Sequence, residues 1–141
     1  MKKLLCPKTY DHGDLGLLIL RVSIGLMMAF SHGLGKVQKF LAGGEIKFPD
    51  PIGLGPEFAL FLAGSTEFFL SLLLVVGFAT RIVTIPLAIT MIVAAFVIHG
   101  DDPFSKKEFA LLYLVPYIAI FFTGPGKYSL DYKFCKKDRM F

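Results

Sequence analysis

Four stretches of this chain are too apolar and too long for the core of a small soluble domain: Leu15 to Leu34, Glu57 to Phe78, Ile82 to His99 and Phe109 to Thr123. A helix that crosses hydrocarbon needs about 20 largely apolar residues. The first three reach that scale, and the fourth is the shortest. In hydrocarbon no water is present to bond backbone N–H and C=O groups, so each stretch is expected to be helical. Together they leave no room for a soluble domain. The expected architecture is therefore all-α: one integral-membrane domain over residues 1–141, folded as a four-helix bundle. Composition agrees. Charged residues make up 18% of the chain and hydrophobic ones 55%, where a soluble domain carries about 25% charged residues.

The net charge of +4 is no sign of nucleic-acid binding, because the cations track the expected topology. Lys2, Lys3, Lys8, Arg81, Lys127, Lys133, Lys136, Lys137 and Arg139 fall on the side of both termini. Lys36, Lys39, Lys47, Lys106 and Lys107 fall on the other. The excess places both termini in the cytoplasm, an N-in/C-in arrangement. The opening "MKKLLCPK" is not followed by the short apolar core and small-residue cleavage site of a secretory signal, so the first span is read as retained. Cys6 and Cys135 are both expected on the reducing side, without a disulfide. Two lone cysteines also make no zinc or iron–sulfur site.

Residues 35–56 read as the longest loop, an extended cap rich in glycine and proline. "GFATR" is so short that spans two and three must form a tight antiparallel hairpin. Ser105 and Glu108 have capping-box spacing at the start of span four. "GPGKYSLD" ends that span, since Gly-Pro-Gly does not continue a helix.

Helical spacing gathers polar and small residues into stripes: Arg21, Gly25, Met28, His32 and Gly35 in span one; Leu60, Gly64, Glu67, Ser71 and Leu74 in span two; Thr84, Ala88, Met91, Ala95 and His99 in span three. A carboxylate in mid-membrane costs several kcal/mol unless it is paired, protonated or solvated. Measured from the same face at the helical rise, Arg21 is about 9 Å deep and Glu67 about 15 Å deep. The remaining ~6 Å is within side-chain reach, so an Arg21–Glu67 ion pair is expected. Such a pair either fixes two helices together or forms the heart of a substrate, proton or quinone site.

His32 and His99 end spans that run in the same direction, with Lys36 one turn beyond and Glu108 opening span four. This outer cluster could carry protons, hydrogen-bond a quinone carbonyl or bind a metal; two histidines facing water and headgroups are the plainer reading. Zinc would need a third ligand that nothing demands, and no metal is assigned. On the cytoplasmic side Arg81 opens a helix, where a cation is disfavoured, and is expected to pair with Asp131 or with lipid phosphates. Tyr113 and Tyr117, at i and i+4, either line an aromatic slot or simply pack.

The pieces "LRVSIGLMMAFSHGLGKVQKF", Glu67 in an apolar second span, "GFATR", "VAAFVIHG" and "GPGKYSLD", in this order, resemble the DoxX family of small bacterial membrane proteins. The resemblance covers roughly Leu15 to Asp131, and the chain departs from the family mainly in its longer first outer loop. It implies a multi-pass protein of the bacterial plasma membrane and membrane-linked redox work, since related proteins form part of a thiosulfate–quinone oxidoreductase. It places Arg21, His32, Lys36, Glu67, Arg81, His99 and Asp131 at the family's recurrent polar positions. The sequence carries no recognisable flavin, haem or thiol redox centre of its own. The expectation is a membrane subunit that binds quinone and takes electrons from a protein partner, with a homo-oligomer open. A non-enzymatic scaffold is the alternative, and a small transporter is a further one. No residue is assigned as catalytic.

Overall fold

The computed structural model describes residues 13–138, so the opening lysines, Cys6 and the "MKKLLCPK" segment lie outside the described residues. Among the described residues five helices follow one another: α1 Gly13–Ala42, α2 Pro56–Val76, α3 Thr80–Ile98, α4 Phe104–Thr123 and the short α5 Leu130–Asp138. No strand occurs among the described residues. The first three helices are long and apolar enough to cross a membrane. The fourth has 20 residues but carries Lys106, Lys107 and Glu108 near its start.

Two helix ends fall outside the expected limits. The first helix continues through Gly33 and Gly35 to Ala42, so Lys36 and Lys39 are helical and the loop shrinks to residues 43–55. Glycine weakens a helix without ending one when packing supports it. The fourth helix starts at Phe104 after Pro103, with no side-chain cap, so the expected Ser105–Glu108 box does not form. A proline just before the first turn starts the helix in its place.

Helices α1 and α2 pack antiparallel along their whole lengths, and so do α3 and α4. The α2–α3 hairpin closes at Gly77–Ala79, both left-handed. These two helices touch through residues 66–76 of α2. Beyond that level the start of α2 packs on the end of α1, and the end of α3 packs on α4. The bundle thus divides into two helix pairs at the end that holds His32 and His99.

Leu74, Leu87, Met28, Tyr117 and Ile120 fill the centre. Large apolar side chains such as Ile19, Phe30, Phe69, Ile82, Phe96, Val115 and Phe122 point outward. An apolar exterior on this scale fits a lipid environment.

The opposite end is tied by "GPGKYSLD". Arg21, 1% exposed, donates to the carbonyls of Pro125 (2.9 Å) and Tyr128 (2.8 Å). Asp14 accepts the Lys127 backbone N–H at 2.9 Å and lies 3.1 Å from its ammonium. Asp131 accepts the N–H groups of Ala79 (2.7 Å) and Thr80 (2.8 Å), while its own N–H donates to the Gly77 carbonyl. Gly77 has φ 72°, and a Cβ there would run into the Arg21 guanidinium, so backbone and space both require glycine.

Candidate functional site

Each of the three apolar helices contains one wide, π-type turn: Ala29–Gly33 in α1, Thr66–Leu70 in α2 and Val93–Ile98 in α3. The Leu34 N–H donates to the Ala29 carbonyl and the His99 N–H to the Ala94 carbonyl, both spanning five residues. Such turns shift the register of the side chains that follow and recur at functional sites. Here they re-aim His32, Glu67 and His99. The turns of α1 and α2 meet backbone to backbone at Gly33, where an added Cβ would lie 2.5 Å from the Phe68 nitrogen and 2.6 Å from the Glu67 carbonyl carbon.

Around this level lies a chamber of about 180 Å³ lined by His32, Lys36, Glu67, His99, Lys106 and Tyr113, with Met28 and Met91 as its floor. Glu67 is buried, with 4% of its surface exposed. Its Oε2 accepts a hydrogen bond from the Lys36 ammonium and forms an ion pair with it. Asp102 joins His99 (Nδ1, 2.7 Å) to Lys106 (3.6 Å). The bond from His99 holds the Asp102 carboxyl below the usual carboxylate range, and Lys106 adds to the effect. Asp102 engages Nδ1, so the chamber is left with His99 Nε2, which accepts when the ring is neutral and donates when it is protonated. His32 meets the Tyr113 ring edge-on at 5.6 Å, and Tyr113 stacks on Tyr117 at 6.3 Å.

The expected Arg21–Glu67 pair does not form. Lys36 takes the carboxylate, and Arg21 binds two carbonyls at the far end. The reason is the length of α1. With the helix unbroken to Ala42, Lys36 stands beside the centre of α2, about 22 Å further along α1 than Arg21 at 1.5 Å per residue. The expected Arg81–Asp131 bridge is also replaced. Asp131 caps the first turn of α3 directly, and Arg81 reaches the Phe122 carbonyl at 3.5 Å. Backbone N–H groups at a helix start are fixed in place and partly positive, so they compete well with a flexible side chain.

Of the outer cluster, His32, Lys36 and His99 line one chamber with Glu67, whereas Glu108 is exposed and points away. Lys106, Phe109, Ala110 and Tyr113 form the α4 face that closes the chamber. Lys106 and Asp102 were missed as site residues. Their signal was the i, i+3 and i, i+4 spacing of His99, Asp102 and Lys106.

The DoxX family model matches residues 16–100, more than half of the chain. The chain belongs to the DoxX family. Among its DoxX-type relatives is a Bacillus subtilis protein named "Putative oxidoreductase CatD", 36% identical over 119 residues that cover 84% of this chain and 86% of the relative. Two uncharacterized proteins of Haemophilus influenzae are 33% identical over 86% of the chain (92% of the relative) and 32% identical over 82% of it (80% of the relative). No solved structure matches. The matched segment holds Arg21, His32, Lys36, Glu67 and His99; Lys106, Tyr113 and the carbonyls that hold Arg21 lie beyond it.

Proposed function

We propose that this protein is a four-helix, multi-pass subunit of the bacterial plasma membrane, with both termini in the cytoplasm, that binds a quinone in the chamber and serves a redox complex. Electrons come from a partner protein. The observation that carries the reading is the ion pair of buried Glu67 with half-buried Lys36 at the wall of a chamber also lined by two histidines and a tyrosine ring. A buried ion pair in a membrane helix bundle is costly and marks a site by default. The name of the Bacillus subtilis relative also leans toward redox work.

The residues fit the headgroup chemistry. Reducing a quinone to a quinol consumes two electrons and two protons. Lys36 is placed to donate a hydrogen bond to a quinone carbonyl oxygen, neutral His99 to accept one from a quinol hydroxyl through Nε2, and Glu67 to pass a proton. Tyr113 offers a flat aromatic wall. The charges of the chamber are matched in place, Lys36 by Glu67 and Lys106 by Asp102, so the head that fits is uncharged.

The test is purification in mild detergent, followed by mass spectrometry of co-purifying lipids and proteins for wild type and Glu67→Gln. Bound quinone that falls sharply in the variant, at equal protein level and with cooperative unfolding retained, supports the reading. A variant that keeps full cellular function, with no quinone in either protein, returns the protein to a scaffold role.

A further inference from the structure

A second cavity, of about 410 Å³, lies on the other side of the Lys36–Glu67 pair, between the diverging halves of α2 and α3. Lys36, Glu67, Ala94 and His99 belong to the walls of both cavities. The remaining wall is almost wholly apolar, with Leu62 and Ala63 from α2, Ile89 and Val93 from α3, and Phe48 and Ile52 from the loop above. Leu62 and Ile89 are exposed on the outside of the helices, so in a bilayer this pocket faces acyl chains. Its size falls within the ~300–1,000 Å³ usual for ligand sites, and a few convergent polar groups at one end of an apolar pocket are the usual composition.

The loop that roofs it is a built element. Asp50 accepts the N–H groups of Gly55 (2.7 Å), Gly53 (2.9 Å) and Leu54 (3.1 Å), and Lys39 donates to the Lys47 carbonyl at 2.8 Å. Residues 44–55 therefore form a strap across the gap where the two helix pairs part.

We propose that the side pocket is the tail site of a membrane-borne amphiphile: an uncharged head sits in the chamber and an apolar chain lies between α2 and α3 under the strap. The ligand enters sideways from the lipid. This inference rests on the quinone reading for its head, but the chain site is tested separately. The polar partition decides the order of the two parts. A chain in the chamber would strand Glu67 and Lys36 against hydrocarbon, whereas a chain in the side pocket meets mostly apolar walls.

Binding is compared for a head-only benzoquinone and the same head with a decyl tail, in wild type, Ala63→Phe and Ile52→Asp. Ala63→Phe fills the pocket. Ile52→Asp puts a charge at its mouth on an exposed strap residue, and so keeps the test open if the first variant folds poorly. In wild type the tailed compound should bind at least about tenfold tighter, compared at equal ligand concentration in the detergent phase. Both variants should abolish that advantage and leave head-only binding unchanged. A diazirine on the tail should label Phe48, Ile52, Leu62 or Ala63, and excess unlabelled tailed quinone should compete. Equal affinity for the two compounds, or label spread over the outer helix faces, overturns the tail site and leaves the chamber reading standing. Labelling of the strap without any head-only binding overturns the chamber reading and keeps the tail site. Equal, uncompeted labelling by a diazirine phospholipid assigns the pocket to bulk lipid and overturns the inference.

Discussion

Glu67 and Lys36 decide what the centre of this protein can do. The carboxylate side chain is 5% exposed and the lysine side chain 25%, so removing the lysine leaves a nearly buried anion with no cation. Lys36→Met should therefore cost about 3 kcal/mol, the lower end for breaking a buried pair because the lysine keeps some exposure. Adding Glu67→Leu should recover most of that loss, since two apolar groups replace two matched charges. Thermal unfolding in detergent checks both. A single variant as stable as wild type would mean that the pair contributes nothing to the fold. The sequence singled out Glu67 as the residue needing a partner, but it pointed to Arg21 where the structure supplies Lys36. That choice depended on where α1 ended, and glycines at 33 and 35 look like an end.

At the scale of elements, the three π turns and the α3 cap set the geometry. Gly33 lets α1 and α2 approach until their backbones touch, and a methyl group there meets backbone atoms of Glu67 and Phe68 that have no room to yield. Gly33→Ala should destabilise by about 1–3 kcal/mol and should push Glu67 away from Lys36. It should therefore lower ligand binding more than Gly35→Ala, which meets open space. Parallel melting and binding curves for the two variants read this out. Asp131→Ala removes acceptors from two N–H groups at the start of α3 and should cost about 1–2 kcal/mol. A similar loss for Asp131→Asn would show that charge, not hydrogen bonding alone, stabilises the cap. The stripe Leu60, Gly64, Glu67, Ser71, Leu74 is buried throughout, as periodicity required. The π turns carry no residue signature, because each arises where packing on a neighbour inserts one extra residue into the turn.

At the scale of the whole molecule, the latched end is held by Arg21, Asp14 and Asp131, and the chamber end is divided and roofed by the strap. The roof should respond to acid. The Gly55 N–H, then those of Leu54, Gly53 and Ile52, hold the Asp50 carboxyl below its ordinary value. A depressed folded pKa stabilises above the unfolded value of about 3.9 and loses that contribution as pH falls through the lower folded value. The strap should thus be unchanged from neutral pH to about 5 and loosen below about 4. Limited proteolysis within residues 44–55 should rise in that acid range, and Asp50→Ala should show the same susceptibility already at neutral pH. By itself the sequence determined that the chain is helical and apolar enough for a membrane, that the α2 stripe and most of the other two face inward, although His32 and Gly35 at the end of the first are exposed, and that Glu67 requires a partner. Those properties follow from hydropathy and a fixed helical period, both local. Tertiary structure alone decided that Lys36 rather than Arg21 answers Glu67, that Asp131 caps a helix rather than pairing with Arg81, and that two cavities share one polar wall. Each of these depends on the axial offset between helices. That offset is set by interlocking side chains and close backbone contacts distant in sequence, and no single segment encodes it.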